Sequence, residues 1–197
     1  MRLIFLLLIL LSCMVQANAT TTINFEDLTP DTSYAVGHSF QSNGIAISVD
    51  ALSATYGGGD CSIRQYGYAW GSGNEVWTNN VLLHFGFSTL SQLSLLFGNY
   101  GGYTKVEVNG DTLQVYNILD LNGIQIGGVD AFVTQSAQSG NVHGTLSLSG
   151  IINSFAIGGQ EFAFDNVTAV PEPSSMLSLL TFCCTMAGIG RGYRRCR

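Results

Sequence analysis

Between Thr20 and Val170 the apolar positions recur with a period of two. Ile45, Ile47 and Val49 alternate with Ala46, Ser48 and Asp50, and Leu93, Leu95 and Phe97 alternate with Gln92, Ser94 and Leu96. The rhythm returns at Val106 and Val108, at Leu146 and Leu148, and at Phe162 and Phe164, whose neighbours Glu161, Ala163 and Asp165 are expected to face water. Such alternation sends one side-chain set into a core and the other outward, as half-buried antiparallel strands do. No helical stripe of useful length interrupts it. Proline is missing between Pro30 and Pro171, so the β-branched and glycine-rich composition, not helix breaking, excludes helices.

Turn chemistry punctuates the strands. Asn43-Gly44, Asn109-Gly110 and Asn122-Gly123 tolerate the positive φ of a tight hairpin, and Asn109-Gly110 sits between "KVEV" and "DTLQVY". Glycine-rich breaks at Gly57 to Gly59, Gly71 to Gly73, Gly101-Gly102 and Gly158-Gly159 separate the other runs. Many short strands with regular turns predict an all-β fold, an antiparallel β-sandwich of jelly-roll type over residues 20–169. The segments "TTINFEDL" and "EFAFDNVTAV" near its two ends are expected to pair. No repeat of fixed period points to a propeller or solenoid.

Both ends of the chain break the pattern. Arg2, the apolar run Leu3 to Leu11 and the small-x-small Ala17-Asn18-Ala19 read as a signal peptide over 1–19. The run is too short for a membrane span. At the other end Pro171-Glu172-Pro173 precedes an uncharged stretch, Ser174 to Gly190, and then Arg191, Arg194, Arg195 and Arg197. As a helix that stretch would be about 25 Å long at about 1.5 Å per residue, near the lower limit for crossing a bilayer. The arginines would stay cytoplasmic by the positive-inside rule. A single C-terminal transmembrane helix over 174–190, with a basic tail at 191–197, is therefore expected after the β body.

Charge separates the parts further. From Thr20 to Val170 twelve acidic residues face only Arg64 and Lys105, a balance of −10. Phosphate neutralisation needs clustered Lys and Arg, so a nucleic-acid partner is excluded. Cys61 is the sole cysteine of that body, so no disulfide can form inside it and burial must hold the fold.

Candidate chemistry is sparse. His38, His84 and His143 form no H-E-x-x-H pattern, no G-x-S-x-G elbow exists, and Gly57-Gly58-Gly59-Asp60 lacks the Lys-Ser/Thr of a phosphate loop. His84 reads as an ordinary strand histidine and Cys61 as a buried thiol. Nothing supports nucleophilic or zinc catalysis, and no catalytic residue is predicted. Two leads remain. If the terminal strands are neighbours, Glu26 or Asp27 approaches Asp165, which shares a strand face with Glu161; clustered carboxylates suit Ca²⁺ and its six to eight oxygen ligands. Solvated strand-end carboxylates are the plainer reading, and a glycosidase pair needs a separation that sequence does not give. The second lead is "RQYGYAW", which puts Tyr66, Tyr68 and Trp70 on one face of a strand, with Trp77, Tyr100 and Tyr103 following. Rings on a sheet face can stack on sugars; the plainer reading is an inward aromatic row.

The ending resembles the PEP-CTERM sorting signal of exported Gram-negative bacterial proteins, a segment also labelled an ice-binding-protein C-terminal domain. The resemblance covers residues 170–197 and rests on the tripeptide, the span and the basic tail in that order. It implies that Pro171, Glu172 and Pro173 are read by a membrane-embedded exosortase after export by the secretion machinery. It also implies transient anchoring by the C-terminal helix and release to the envelope, surface or extracellular matrix, among extracellular polysaccharide and biofilm. "INFEDL", "FQSNGIAIS" and "FAIGGQEFAFDNV" resemble the opening and closing strands of β-sandwich domains found upstream of this signal, and the closing strand is loosely similar to calcium-stabilised carbohydrate-binding jelly rolls. The expectation is a non-catalytic surface module that binds polysaccharide. The alternatives are a structural matrix protein without a specific ligand and an extracellular hydrolase.

Overall fold

The computed structural model describes residues 19–55, 58–136 and 141–172. Apart from Ala19, the signal peptide lies outside the described residues, as do Pro173, the expected span 174–190 and the arginine tail 191–197. Among the described residues no helix is long and apolar enough to cross a membrane.

Thr20–Pro171 forms one compact, all-β unit. Its strands are β1 (Thr21–Ile23), β2 (Ser33–Ala35), β3 (Ser39–Ser42), β4 (Ile45–Ala51), β5 (Asp60–Arg64), β6 (Glu75–Asn79) and β7 (Val81–Phe85). They continue as β8 (Leu90–Val108), β9 (Asp111–Val115), β10 (Ile124–Ile126), β11 (Val129–Gln135), β12 (Val142–Ile152) and β13 (Phe155–Pro171), with a 3-10 turn at Ile118–Leu121. Every pairing is antiparallel. β13 runs through Pro171, opposite Leu90, so the folded body reaches two residues beyond the expected boundary at 169. Proline, lacking a backbone donor, suits the end of a strand.

Two long strands, β8 and β13, pair from Leu90↔Pro171 to Phe155↔Val108. At one end the ribbon carries β12, β11 and β10 beyond β8, and β6, β5 and β2 beyond β13. At the other end β9 pairs with β8, and β7, β4 and β3 follow from β13. The branches meet where the register shifts between Gly159, Glu161 and Phe162. Bulges bend strands and change which residues face the core. Phe155 and Ile157 are buried before this one, Phe162 and Phe164 after it. Gly101-Gly102 and Gly158-Gly159 are therefore not breaks between strands, as the sequence suggests, but lie inside β8 and β13. The Val81 carbonyl occupies the space a side chain on Gly158 would fill.

The inner faces supply the core that the alternation predicts. Phe164 lies 5.8 Å from Phe25 and 6.0 Å from Phe85, so aromatic rings of both branches meet at one point. Cys61 is buried and its thiol is pushed up to about 12, chiefly by burial, as expected of an inert packing residue. β1 pairs with β13 in the register Thr21↔Ala169 to Ile23↔Val167, so the terminal segments are neighbours. Asn43-Gly44 and Asn109-Gly110 are two-residue turns with positive φ at both positions. Asn122-Gly123 is not a hairpin: Asn122 has φ −66° and caps the 3-10 turn, while Gly127-Gly128 closes β10 on β11. A Gly-Gly pair satisfies the turn without the asparagine that made the other two conspicuous.

Candidate functional site

Beyond the core, the outward face of β6, β13, β8 and β12 carries the unusual side chains. Glu75, Trp77 and Asn79 alternate along β6 with the buried Val76 and Thr78. Ala163 lies opposite both Trp77 and Gly98, and His143 lies opposite Gly98. An outward face should be wet, yet Ala163 and Asp165 are both 0 % exposed. The expectation that they face solvent is therefore corrected. The segment between β5 and β6 folds back over them. The Tyr68 carbonyl takes the place of a side chain on Gly98, and the Asp165 carboxylate that of a side chain on Gly71.

This covering segment carries the predicted aromatic row, and the row is not on a strand. β5 ends at Arg64, and Tyr66, Tyr68 and Trp70 belong to a loop. Gly67 supplies a positive φ there, and Trp70 adopts φ 62°, a costly value for a bulky residue. The loop still brings the rings together. Tyr68 lies 5.3 Å from Tyr66, 4.9 Å from Trp77 and 5.1 Å from Tyr100. Trp70 stacks on His143 at 4.6 Å and 17°. The Tyr100 hydroxyl lies 3.1 Å from the Tyr68 carbonyl and 2.9 Å from His143 Nε2, tying loop, β8 and β12. Burial lowers the His143 pKa. The rings are not an inward row: Tyr66 is 62 % and Trp70 37 % exposed, while Tyr68, Trp77 and Tyr100 back them half-buried.

Carboxylates hold the loop from below. Both oxygens of Glu75, itself 2 % exposed, accept backbone N–H groups, from Tyr68 at 2.8 Å and Ala69 at 2.6 Å. Glu26 Oε1 accepts from the Asn74 N–H at 2.8 Å. Asn74 in turn donates to the Phe25 and Leu28 carbonyls, fixing the loop's exit against the turn after β1. Asp165 Oδ1 accepts from the Asn166 N–H at 2.6 Å, while its buried Oδ2 makes no hydrogen bond. Burial, with the charges of Glu75 and Glu26, raises Asp165 to about 7, against smaller lowering by the Asn166 and Ser72 N–H groups.

The predicted carboxylate set is thus brought together only in part. Glu26 and Asp165 both face the loop between Gly71 and Gly73. Asp27 does not join them: its two oxygens accept from Ser42 Oγ at 2.6 Å and the Asn43 N–H at 2.8 Å, bracing the β3–β4 turn. Glu26 and Asp27 are the central residues of the turn closed by the Leu28 N–H on the Phe25 carbonyl, and each is held by a different neighbour, Glu26 by Asn74 and Asp27 by the β3–β4 turn. Glu161 also departs. It stays exposed beside the bulge at the crease, whereas the loop between β5 and β6 covers Asp165, so the two carboxylates are not gathered. Among the described residues no group of three His, Cys, Asp or Glu gathers around a point where a metal could sit. His84 is an ordinary strand histidine paired with Asp50 at 3.1 Å. Pro171 ends β13, and its carbonyl lies near Ser91 Oγ at 3.4 Å.

Two participants escape sequence reasoning. Glu75 was legible through its phase, two residues before Trp77 on the same strand face. His143 carries no local signal, because Trp70 reaches it only through the loop.

No family model matches the chain, and no curated protein or solved structure matches it either.

Proposed function

We propose that this chain is an exported, non-catalytic surface protein whose β body binds polysaccharide through the loop-borne rings of Tyr66, Tyr68 and Trp70. The observation that carries the reading is the exposure of Tyr66 and Trp70 on a loop clamped against Tyr68, Trp77, Tyr100 and His143. Partly exposed rings held rigidly on a polar surface present flat apolar area at little ordering cost, which suits the faces of sugar rings. The body belongs, in this reading, to a jelly-roll-like sandwich formed by folding the branched sheet along its β8–β13 crease. Replacing Trp70 with alanine should weaken binding to a glycan array about 30-fold, in line with aromatic anchors worth about 2 kcal/mol. Unchanged binding by Trp70→Ala would count against the platform and favour a purely structural matrix role.

Delivery rests on the order of Pro171-Glu172-Pro173, apolar stretch and arginines. An exosortase-type enzyme would process the tripeptide while the apolar stretch 174–190 would hold the chain in the membrane. Glu172→Ala should leave the tail attached, read as a retained, larger species in membrane fractions; normal tail removal would refute that assignment.

Calcium is a second element of the proposal, with a corrected ligand set. Asp165 Oδ2 is buried and unpaired beside a loop also touched by Glu26. These two carboxylates, with backbone carbonyls of the loop and water, offer the hard oxygens that Ca²⁺ takes. Asp27, fully engaged elsewhere, is not included.

A further inference from the structure

We propose that the glycan-binding surface is a track along the crease of the sheet, with a second aromatic subsite at Tyr103 and Tyr116, fitted to a linear, uncharged polysaccharide. The inference rests on the platform reading above and extends it from one sugar to several.

Three observations carry it. First, Tyr103 and Tyr116 form a separate exposed pair. Their rings lie 5.2 Å apart, edge to face, with Tyr116 67 % and Tyr103 36 % exposed. Tyr103 precedes Thr104, which pairs with Val115, so the two tyrosines flank the end of the β8–β9 ladder. Thr104, Val106 and Val108 point into the core; Tyr103 therefore points out. Second, the bulge puts this pair on the same side as the first cluster. Up to Phe97 the odd positions of β8 are buried, and from Thr104 the even ones are. Tyr100 and Tyr103, three residues apart, consequently both face outward. At about 3.3 Å per residue they are no more than about 10 Å apart, too far for one sugar ring to cover both and close enough for neighbouring units of a chain. Third, the interval is bridged by side-chain amides. Asn80 Nδ2 donates to Asn79 Oδ1 at 2.9 Å, Gln160 Nε2 donates to Asn80 Oδ1 at 3.3 Å, and Gln160 Oε1 accepts the Tyr103 N–H at 2.9 Å. Asn79 follows Trp77 on the outward phase of β6, so this ladder runs from one aromatic cluster to the other. Amides that both donate and accept match hydroxyl groups without requiring charge.

The charge of the body selects the ligand class. With twelve carboxylates against two basic residues between Thr20 and Val170, and with Glu161 exposed at the crease, a polyuronate would be repelled. Arg64 does not offset this, because it is paired with Asp31 at 2.9 Å.

The test uses the purified exported chain on an array of glucans, mannans, galactans and polyuronates, each graded from two to eight sugars. The expected result is binding to an uncharged chain that strengthens as length grows past three sugars. Tyr103→Ala/Tyr116→Ala should weaken binding of six- to eight-sugar chains about tenfold and leave the shortest binders unchanged. Trp70→Ala should weaken both. Binding that does not grow with length, or a tyrosine double variant that binds long chains normally, overturns the track while leaving the platform standing. Preference for polyuronates overturns the uncharged class. Silence across the array overturns the platform itself. The exposed Tyr116 alone can be replaced to repeat the test should the double variant fold poorly.

Discussion

Asp165→Asn is expected to raise the melting temperature of the purified chain at pH 8 in the presence of chelator, and to remove most of its loss of stability between pH 4 and pH 8. The side chain is 0 % exposed, and its pKa is raised from 3.8 to about 7 by burial and by Glu75 and Glu26. In the folded protein it holds its proton where the unfolded chain has lost it. That stabilising difference is complete below pH 3.8 and is lost as pH rises through about 7. By pH 8 the folded protein carries a buried anion with an unpaired oxygen, at a cost of roughly 2–4 kcal/mol. Asparagine keeps the acceptor for the Asn166 N–H and turns an amide toward the neighbouring carboxylates. A gain of about 2 kcal/mol corresponds to roughly 4–8 °C for a body of this size. Thermal melts from pH 4 to pH 8 decide the matter: parallel curves for both proteins would show that Asp165 does not titrate as described.

Calcium adds an arm to the same experiment. A cation between Glu26 and Asp165 would neutralise the anion that the fold otherwise tolerates poorly. Added calcium should then raise the melting temperature of the parent chain at pH 8 and leave Asp165→Asn unmoved. If calcium moves neither, the metal reading falls while the pH dependence stands.

The strands were legible because burial imposes a period of two, and the two Asn-Gly hairpins because only a few residues adopt their φ values. The sequence misled wherever a residue's surroundings come from elsewhere in the chain. Ala163 and Asp165 occupy outward positions on β13, and only the loop folded over that face makes them buried. Tyr66, Tyr68 and Trp70 have the spacing of a strand face, but Gly67 and the positive φ of Trp70 turn them into a loop that gathers the rings by another route. Glu161 and Asp165 are four residues apart, but the loop covers Asp165 and leaves Glu161 exposed at the crease. In each case the missing information was a tertiary contact, which overrides local periodicity. The carboxylate pairing was half legible: terminal strands that pair bring Glu26 near Asp165, while the turn after β1 leaves Asp27 to Ser42 and Asn43.

Glu75→Ala is expected to release the aromatic loop and cost the body about 2–4 kcal/mol. Glu75 is almost fully buried, and both its oxygens accept backbone N–H groups of Tyr68 and Ala69. Hydrogen bonds to a charged acceptor are worth about 1.5–3 kcal/mol each. Two N–H groups would lose their partner, and removing a charge that raises Asp165 returns part of the loss. The sheet beneath does not depend on this carboxylate, since Val76 and Thr78 still face the core. Far-UV circular dichroism should therefore stay that of a β protein while tryptophan fluorescence changes, as Trp70 leaves His143 and Trp77 loses Tyr68. Glycan binding should fall at least as far as in Trp70→Ala, because Tyr68 and Trp70 are displaced together. Glu75→Gln, which retains one acceptor, should fall between the two. Unchanged fluorescence and binding in Glu75→Ala would mean that packing alone shapes the loop and that the carboxylate beneath it is not its clamp.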